Sequence, residues 1–301
     1  MKKLSSFVAV ATLLAAGTGT VLAQTTTLKK AQDSGEIVMG VRESSAPLSF
    51  TLGNNQFAGY HIDVCQAIID NISKTVGKKL NVKYTAVTSQ NRIPLTQNGT
   101  VDIECGSTTN NEARQKDVSF ALTTFVTEVR MAVKVKSGIK SIAQLNNKTV
   151  ATTTGTTSVQ TLRKHKAAEK ATFKELFGKD HADSFLLVES GRADAFVMDN
   201  NILAGLIASS KNPKDYAIVG EVLSVEPIAI MIRKDDPGMK KVVDLTISGM
   251  MADGSLAKLY DKWFIKPIPP KNTSVGLPMG TTLKTLFKDP NDKPMEAYAA
   301  K

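Results

Sequence analysis

The segments LTQNGTVDIECGS at 95–107 and LVESGRADAFVMD at 187–199 share one spacing pattern, and residue 187 stands 92 positions after residue 95. In each segment an opening Leu is followed, at the same intervals, by a Gly, an Asp and a final polar residue. This pattern is typical of a helix end, a Gly cap, a turn and a buried strand. Its repetition predicts two lobes that are built from the same supersecondary unit.

Strand and helix patterns also alternate on the N-terminal side of the first segment. This repeated β-α-β order predicts an α/β fold with a largely parallel sheet. Open sheets of this kind bind ligands beyond the carboxyl ends of their strands. We therefore predict that the repeated positions at those strand ends line a cleft. They are Ser89, Ser107, His181 and Asp199. The predicted strands are Glu36–Val41, Leu80–Val87 and Val101–Cys105, and the predicted helices are Ile62–Val76 and Arg92–Gln97.

Two apolar segments are candidates for the connections between the lobes. Phe120–Lys136 is predicted to lead out of the first lobe, and Pro227–Arg233 is predicted to lead back into it. The second lobe is then an insertion in the first, and the two connections form a two-stranded hinge. This organisation divides the chain into a discontinuous first lobe, 24–131 and 229–301, and an inserted second lobe, 132–228.

The first residues have the pattern of a secretory signal. Lys2 and Lys3 precede an apolar run at 7–16, and Val21-Leu22-Ala23 is a small-residue cleavage pattern. The sequence predicts a signal peptide at 1–23 that is cut after Ala23, so we expect a periplasmic protein. The alternative is a membrane anchor, for which the apolar run is too short. No Cys follows the predicted cut, which argues against a lipid anchor.

Composition restricts the classes of partner. The 301 residues are 42% hydrophobic and carry a formal net charge of +10, which is compatible with a globular core and with anionic ligands. The Lys residues are scattered rather than gathered into a basic stripe with stacking aromatics, so we expect no nucleic-acid partner. Cys65 and Cys105 are the only cysteines, and a disulfide and two buried thiols both remain open for them.

Catalytic and metal-binding motifs are absent from the sequence. It contains no G-x-x-x-x-G-K-[ST], H-E-x-x-H, C-x-x-C or G-x-S-x-G, and its histidines (His61, His165 and His181) have no metal-ligand spacing. We therefore expect no metal, no cofactor and no enzymatic activity. The alternative is an enzyme on the same fold, for which His181 or Asp199 would have to act as the general acid or base.

Two hydroxyl-rich turns have the character of anion sites. TTTGTTS at 152–158 lies between a strand and a predicted helix, and STTNN at 107–111 follows the strand at 101–105. Free N–H groups at a helix N-terminus bind carboxylates well. The alternative for the first turn is a plain helix cap, because hydroxyl residues are common there too.

Three arginines lie near predicted strand ends. Arg42 follows the first strand, Arg92 opens a short helix, and Arg114 comes five residues after Thr109. The guanidinium group pairs with both oxygens of a carboxylate. One α-carboxylate needs one such group, so the others predict a second negative charge on the ligand. Asp199 is available for an α-ammonium group.

Several segments carry a likeness to a known family. They are VRESSAPLSF at 41, TSQNRIPLTQNGTVDIECGSTTNNEARQK at 88, TTGTTS at 153, KDHADSF at 179, ESGRADAFVMD at 189, IRKDDP at 232 and DKWFIKPIPPKN at 261. With them the chain resembles the periplasmic polar amino-acid-binding proteins of ABC transporters, and most closely those that bind acidic amino acids. The likeness covers nearly all of the predicted mature chain. The segment EPIAI at 226–230 departs from the family by being more apolar.

The resemblance implies a type II periplasmic-binding-protein fold, two α/β lobes that close on a ligand about a hinge. It implies a monomer that delivers L-glutamate or L-aspartate to inner-membrane permease subunits, and a chemoreceptor role remains open beside transport. By resemblance, the ligand's side-chain carboxylate is held by Arg42, Ser89, Arg92 and His181. Its α-carboxylate is held by Ser107, Thr109, Arg114 and Thr157, and its ammonium group by Asp199.

Overall fold

The structure is a computed structural model that describes residues 26–168 and 170–298; the predicted signal peptide at 1–23 lies outside them. The strands are β1 (Glu36–Val41), β2 (Ser44–Ser45), β3 (Ser49–Gly53), β4 (Gln56–Ala58), β5 (Asn81–Ala86), β6 (Ile103–Glu104), β7 (Val118–Phe120), β8 (Phe125–Lys134), β9 (Thr149–Thr153), β10 (Lys174–Gly178), β11 (Ala195–Asp199), β12 (Tyr216–Ile228) and β13 (Met231–Arg233). The α-helices are α1 (Thr27–Ser34), α2 (Tyr60–Val76), α3 (Arg92–Gln97), α4 (Glu112–Gln115), α5 (Thr157–Ala168), α6 (His181–Glu189), α7 (Asn200–Ser209), α8 (Pro237–Ala252), α9 (Ser255–Tyr260) and α10 (Thr281–Lys288).

Two sheets of five strands form the centres of two lobes. The first has the order β5-β1-β6-β13-β7 and the second has the order β10-β9-β11-β8-β12. The parallel arrangement predicted from the sequence is present in β5-β1-β6 and in β10-β9-β11. The other two strands of each sheet pair antiparallel, so the prediction of a largely parallel sheet is too simple. The reason is that β8 enters the second sheet, and β13 enters the first, directly from the hinge and not through a crossover helix.

The connection between the lobes consists of two antiparallel strands. β8 and β12 pair from Phe125 opposite Ile228 onwards, and Thr127 lies opposite Glu226. Beyond Ile228 the chain enters β13 of the first sheet. A two-stranded hinge was expected from the sequence, and β8 and β12 are the two strands that form it.

The short elements agree with the predicted pattern to within a few residues. Arg92–Gln97 is helical as expected, and the helix predicted at Ile62–Val76 begins two residues earlier and ends at Gly77, where φ is 69°. The predicted strand at Val101–Cys105 is shorter, because only Ile103 and Glu104 pair with β1.

The repeated segment has the same structure in both lobes. Gly99 and Gly191 each have φ of 75°, in the left-handed region where Gly has no steric penalty. The Asp102 carboxylate accepts a hydrogen bond from the N–H of Val38 at 2.8 Å, and the Asp194 carboxylate accepts one from the N–H of Thr149 at 2.8 Å. Each Asp thus ties the turn to the neighbouring parallel strand. The two lobes share this unit, as the 92-residue offset predicts.

The cores lie on the faces of the two sheets. In the first lobe the rings of Phe125, Tyr260 and Phe264 stack, with centroids 4.3 Å apart for Tyr260 and Phe264 and 4.8 Å apart for Phe125 and Phe264. Phe125 opens the hinge strand β8, so this stack anchors the hinge in the first lobe. Cys65 and Cys105 form a disulfide that joins α2 to the end of β6, which settles the alternatives left by the sequence. Within the described residues, none of the helices is long and apolar enough to cross a membrane.

Candidate functional site

The site predicted from the sequence lies where the carboxyl ends of the two parallel strand sets face each other. Arg42 follows β1, Ser107 follows β6, and Asp199 ends β11. All of the predicted site residues are buried, with exposed fractions between 0% and 9%. Contacts run directly from the first lobe to the second. The residues are Arg42, Ser89, Arg92, Ser107, Thr109, Arg114, Thr157, His181 and Asp199.

Arg42 is the centre of a cluster that spans the two lobes. Its Nη1 donates to Ser107 Oγ at 3.2 Å, and its Nη2 donates to Asp180 Oδ1 at 2.5 Å. The other Asp180 oxygen accepts from Ser44 Oγ at 2.7 Å. Burial alone would raise the pKa of Asp180, but the charge of Arg42 and these hydrogen bonds lower it to about 2. Arg42 therefore already has an anionic partner within the protein.

His181 is a neutral ring with both nitrogens engaged. Burial, and then the charge of Arg42, lower its pKa to about 3. Arg42 Nη2 lies 3.2 Å from His181 Nε2, and because a guanidinium group only donates, Nε2 accepts. The proton is then on Nδ1, which donates to Thr153 Oγ1 at 3.0 Å. In this arrangement His181 orients Arg42 and has no proton free for a ligand carboxylate.

Arg92 and Ser89 have buried polar atoms that lack partners. Within residues 26–168 and 170–298, Arg92 Nε, Arg92 Nη1 and Ser89 Oγ are among the few buried side-chain atoms without a hydrogen bond. Burial, and then the nearby charge of Arg114, lower the pKa of Arg92 to about 9, so it remains protonated at neutral pH. Unpaired buried donors of this kind are destabilising unless a ligand anion meets them.

Arg114 and two threonines form the junction between α4 and α5. Arg114 Nη1 donates to the carbonyl oxygen of Thr109 at 2.9 Å, and Nη2 donates to that of Gly155 at 3.3 Å. The hydroxyls of Thr109 and Thr157 lie 3.4 Å apart, one on each lobe. Thr157 is the first residue of α5, so the predicted hydroxyl-rich turn at 152–158 does precede a helix N-terminus. β9, which ends at Thr153, precedes this turn.

Asp199 stands at the end of β11 with a buried oxygen, Oδ1, that has no hydrogen-bond partner in the described part of the chain. Burial, and then the charge of Glu226, raise its pKa well above the usual value. A cation beside Oδ1 would reverse that shift. Asp199 is therefore the acceptor end of a cleft whose donor end is Arg92.

Three carboxylates of the site were missed by sequence reasoning. Asp180 caps α6 and pairs with Arg42. Glu226 in β12 accepts from Thr109 and Thr157, and Glu104 in β6 accepts from Thr108 Oγ1 at 2.6 Å. Glu226 and Glu104 had a detectable signal, since a carboxylate in an otherwise apolar strand needs buried partners. Asp180 was hidden beside the more conspicuous His181.

The mouth of the cleft is a cavity of about 680 Å³ that is lined by both lobes. Ser89, Arg114 and Thr157 lie on its wall, together with Gly155 and Arg163. A cleft with a free guanidinium donor at one end and a free carboxylate oxygen at the other suits a small zwitterion. Among the described residues, no group of three or more His, Cys, Asp or Glu side chains is placed to hold a metal ion.

Comparisons with known proteins agree with this geometry. Residues 37–266 match the family model of bacterial extracellular solute-binding proteins, family 3. The chain is 46% identical over 268 residues to the glutamate/aspartate import solute-binding protein of Escherichia coli (strain K12), with 89% of each chain covered. It is 44% identical over 275 residues to the L-glutamate/L-aspartate-binding protein of Pseudomonas aeruginosa, covering 90% of this chain and 91% of that one.

A solved structure of a mutant of ArgBP from T. maritima matches with a TM-score of 0.69 and 26% sequence identity, over 79% of this chain and 98% of that one. The type II periplasmic-binding fold that was expected from the resemblance is thereby confirmed. The prediction of a solute-binding protein, and not an enzyme, is confirmed by the same relatives. The family model matches most of the length of the chain, and the two lobes enclose a polar cleft. The chain therefore belongs to the bacterial extracellular solute-binding proteins, family 3.

Proposed function

We propose that the protein binds L-glutamate and L-aspartate in the cleft between its lobes and delivers them to the membrane permease of an ABC importer. The observation that carries this proposal is the pairing of free atoms in one buried cleft. Arg92 and Ser89 offer unpartnered donors, and Asp199 Oδ1 is an unpartnered acceptor. An amino acid with a second carboxylate satisfies both ends at once. The relatives from Escherichia coli and Pseudomonas aeruginosa are named for the binding of glutamate and aspartate, which supports the proposal.

Arg92 and Ser89 are the proposed main contacts of the side-chain carboxylate. Arg42 and His181 are proposed to support this carboxylate as secondary contacts. Arg42 Nη2 is already engaged with Asp180 and His181, and only Arg42 Nε has no partner among the described residues. Arg114, Ser107 and the backbone N–H groups of Thr109 and Thr157 form the proposed α-carboxylate end, because both threonine hydroxyls donate to Glu226. Asp199 receives the ammonium group. Charge-assisted hydrogen bonds in a dry cleft are strong, although desolvation of the ligand offsets much of their energy.

Binding is proposed to proceed by closure about the hinge of β8 and β12. The contacts of Arg42 with Asp180 and of Gly155 with Gln90 connect the two lobes, so they exist only when the cleft is closed. A Cβ atom at Gly155, where φ is 81°, would stand 2.7 Å from Gln90 Cα. The membrane permease is proposed to recognise this closed form. We place the lobe boundaries at 131/132 and 228/229.

The remaining parts of the proposal concern the cellular location and the oligomeric state of the protein. We propose export through a signal peptide that is cut after Ala23, a periplasmic location and a monomeric binding protein. The predicted apolar run at 7–16 and the cleavage pattern at 21–23 support the export step. Mass spectrometry of the protein after secretion gives the N-terminus, and Gln24 is the expected first residue.

Thermal unfolding with a panel of amino acids tests the ligand assignment. The protein is first unfolded and refolded to remove bound ligand, and each amino acid is then added at the same concentration. A ligand that binds only the folded form raises the unfolding midpoint, by about 3 kcal/mol of stability at a hundredfold excess over Kd. We expect large shifts with L-glutamate and L-aspartate and small shifts with neutral or basic amino acids. A large shift with L-arginine and none with L-glutamate would contradict the proposal.

A further inference from the structure

Glu226 is a fully buried carboxylate in the hinge strand β12, and it connects both lobes. Its Oε2 accepts from Thr109 Oγ1 of the first lobe at 2.6 Å and from Thr157 Oγ1 of the second lobe at 2.7 Å. Its Oε1 accepts from Ser224 Oγ at 2.8 Å. An ionised carboxylate has acceptor sites only, and all three of these contacts come from hydroxyl groups, which can donate. The hinge therefore contributes a negative charge to the cleft.

This contact fixes the direction of the two threonine hydroxyls. A hydroxyl group has one proton to donate, and in Thr109 and Thr157 that proton is directed to Glu226. What remains for a ligand at these two oxygens is lone pairs. Together with Asp199 Oδ1, which has no partner among the described residues, they form a group of acceptors. Such a group suits a cation with several N–H donors.

The charges that surround Asp199 also favour a ligand with a cationic group. Arg92 on α3, Arg114 on α4 and Arg42 after β1 attract its negative charge, and Glu226 on β12 opposes it. Arg42 is paired with Asp180, and Glu104 lies near Arg92 and Arg114. The three buried arginines thus face four carboxylates, of which Glu104, Asp199 and Glu226 are buried and Asp180 is half-buried. A ligand that brings two carboxylates and no cation adds to this excess.

We propose that Glu226 is a further specificity-determining residue, which together with Asp199 makes an α-ammonium group obligatory in the ligand. The inference rests on the proposed function of the cleft. A dicarboxylate of glutamate's length without the ammonium group, pentanedioate, fits the donor end but leaves Asp199 and Glu226 facing each other. It binds only the form of the protein in which Asp199 is protonated. The site therefore discriminates amino acids from plain dicarboxylic acids by repulsion as well as by attraction.

Calorimetry with L-glutamate and pentanedioate tests this inference. In the unmodified protein, pentanedioate is expected to bind with about one proton more than L-glutamate does, so its affinity relative to that of L-glutamate rises by up to about tenfold for each unit that the pH is lowered. The proton number is measured from the binding enthalpy in buffers of different ionisation enthalpy. L-Glutamate is expected to show much less proton uptake. Equal proton uptake for both ligands would overturn the proposal.

Glu226→Gln is the matched variant, because the amide preserves the shape of the side chain and removes its charge. We expect the affinity for pentanedioate to rise relative to that for L-glutamate by on the order of tenfold, and the proton uptake to decrease. Glu221→Gln on the same strand is the control, since Glu221 is exposed, and it is expected to leave the ratio unchanged. Equal loss of affinity for both ligands in Glu226→Gln would indicate a purely structural role. Failure of L-glutamate and L-aspartate to bind the unmodified protein would instead contradict the proposed function.

Discussion

Gly205 of α7, in the second lobe, lies so close to Ala46 of the first lobe that a Cβ atom at Gly205 would stand 2.4 Å from the Ala46 carbonyl oxygen. The contact joins two lobes that meet only on closure. Gly is otherwise unfavourable inside a helix, by roughly 1 kcal/mol relative to Ala. The close approach across the cleft is a physical reason for a Gly at this position.

Gly205→Ala is expected to weaken ligand binding without weakening the fold. The added methyl group stabilises α7 but overpacks the closed form by roughly 1–3 kcal/mol, which corresponds to a loss of affinity of about tenfold or more. Calorimetry and thermal unfolding of the ligand-free protein measure the two effects separately. Gly249→Ala is the control, because Gly249 is also in a helix and has nothing within 4 Å of an added Cβ. Equal affinities of the two variants would contradict closure through this contact.

Arg92→Ala is expected to lower the affinity for L-glutamate far more than that for L-glutamine. The variant leaves the ligand's side-chain carboxylate without its buried cation, and loss of one partner of a buried pair costs roughly 3–5 kcal/mol, a hundredfold or more in Kd. Arg163→Ala removes the same charge at the mouth of the cleft, where Arg163 pairs with Glu175, and its effect is expected to be about fivefold or less. Calorimetry with both ligands checks the pair. An equal loss of affinity for L-glutamine and L-glutamate would show that Arg92 does not bind the side-chain carboxylate.

The stability of the ligand-free protein is expected to fall between about pH 6.5 and about pH 4. His61 is buried between the carbonyl of Gly106 and the hydroxyl of Thr124, at 2.5 Å and 2.8 Å. Burial lowers its pKa to about 4, partly offset by the hydrogen bond to Gly106. The unfolded chain binds a proton at His61 below about pH 6.5, whereas the folded protein does not until the pH approaches 4, so unfolding becomes easier as the pH falls.

The size of this effect is roughly 3 kcal/mol for His61 alone, measured by urea unfolding at several pH values. His61→Gln is expected to reduce the slope of stability against pH in this range, whatever its effect on stability at neutral pH. His165→Gln changes a half-buried histidine of the second lobe and is expected to preserve the slope. An undiminished slope in His61→Gln would show that the ring is not the group that titrates.

Reduction of the disulfide between Cys65 and Cys105 is expected to lower stability while leaving ligand binding intact. The bridge closes a loop of sequence separation 40, for which the chain-entropy model gives about 4 kcal/mol. Thermal unfolding with and without reductant measures the change. The double variant Cys65→Ala and Cys105→Ala should have the lower midpoint already and show no further shift with reductant. A shift of the unfolding midpoint of equal size in that variant would show that the reductant does not act through this disulfide.

Much of the fold could be predicted because its signals are local. Gly99 and Gly191 end the repeated turns, and Asp102 and Asp194 hold neighbouring strands by the same hydrogen bond. These features depend on a few adjacent residues and therefore appear in the sequence. The antiparallel strands of each sheet could not be predicted in this way, because their pairing is set by how the hinge returns the chain to the first lobe.

The candidate site was predictable in its residues but not in its connections. The positions of Arg92 and Asp199 at strand ends follow from the β-α-β order. The pairing of Arg42 with Asp180 joins residues that are 138 positions apart, and it exists only when the lobes close. Glu226 is similar, because its partners come from both lobes. Long-range pairing of charges changes the role of a residue without changing any local pattern.

Isothermal titration of the ligand-free mature protein with L-glutamate, L-aspartate, L-glutamine and L-histidine shows whether the cleft selects acidic amino acids. We expect tight binding of the two acidic amino acids, with dissociation constants on the order of micromolar, and binding of L-glutamine and L-histidine that is weaker by a hundredfold or more. Tight binding of L-glutamine or L-histidine, with none of L-glutamate or L-aspartate, would contradict this expectation, because the free donors of Arg92 would then not face a ligand carboxylate.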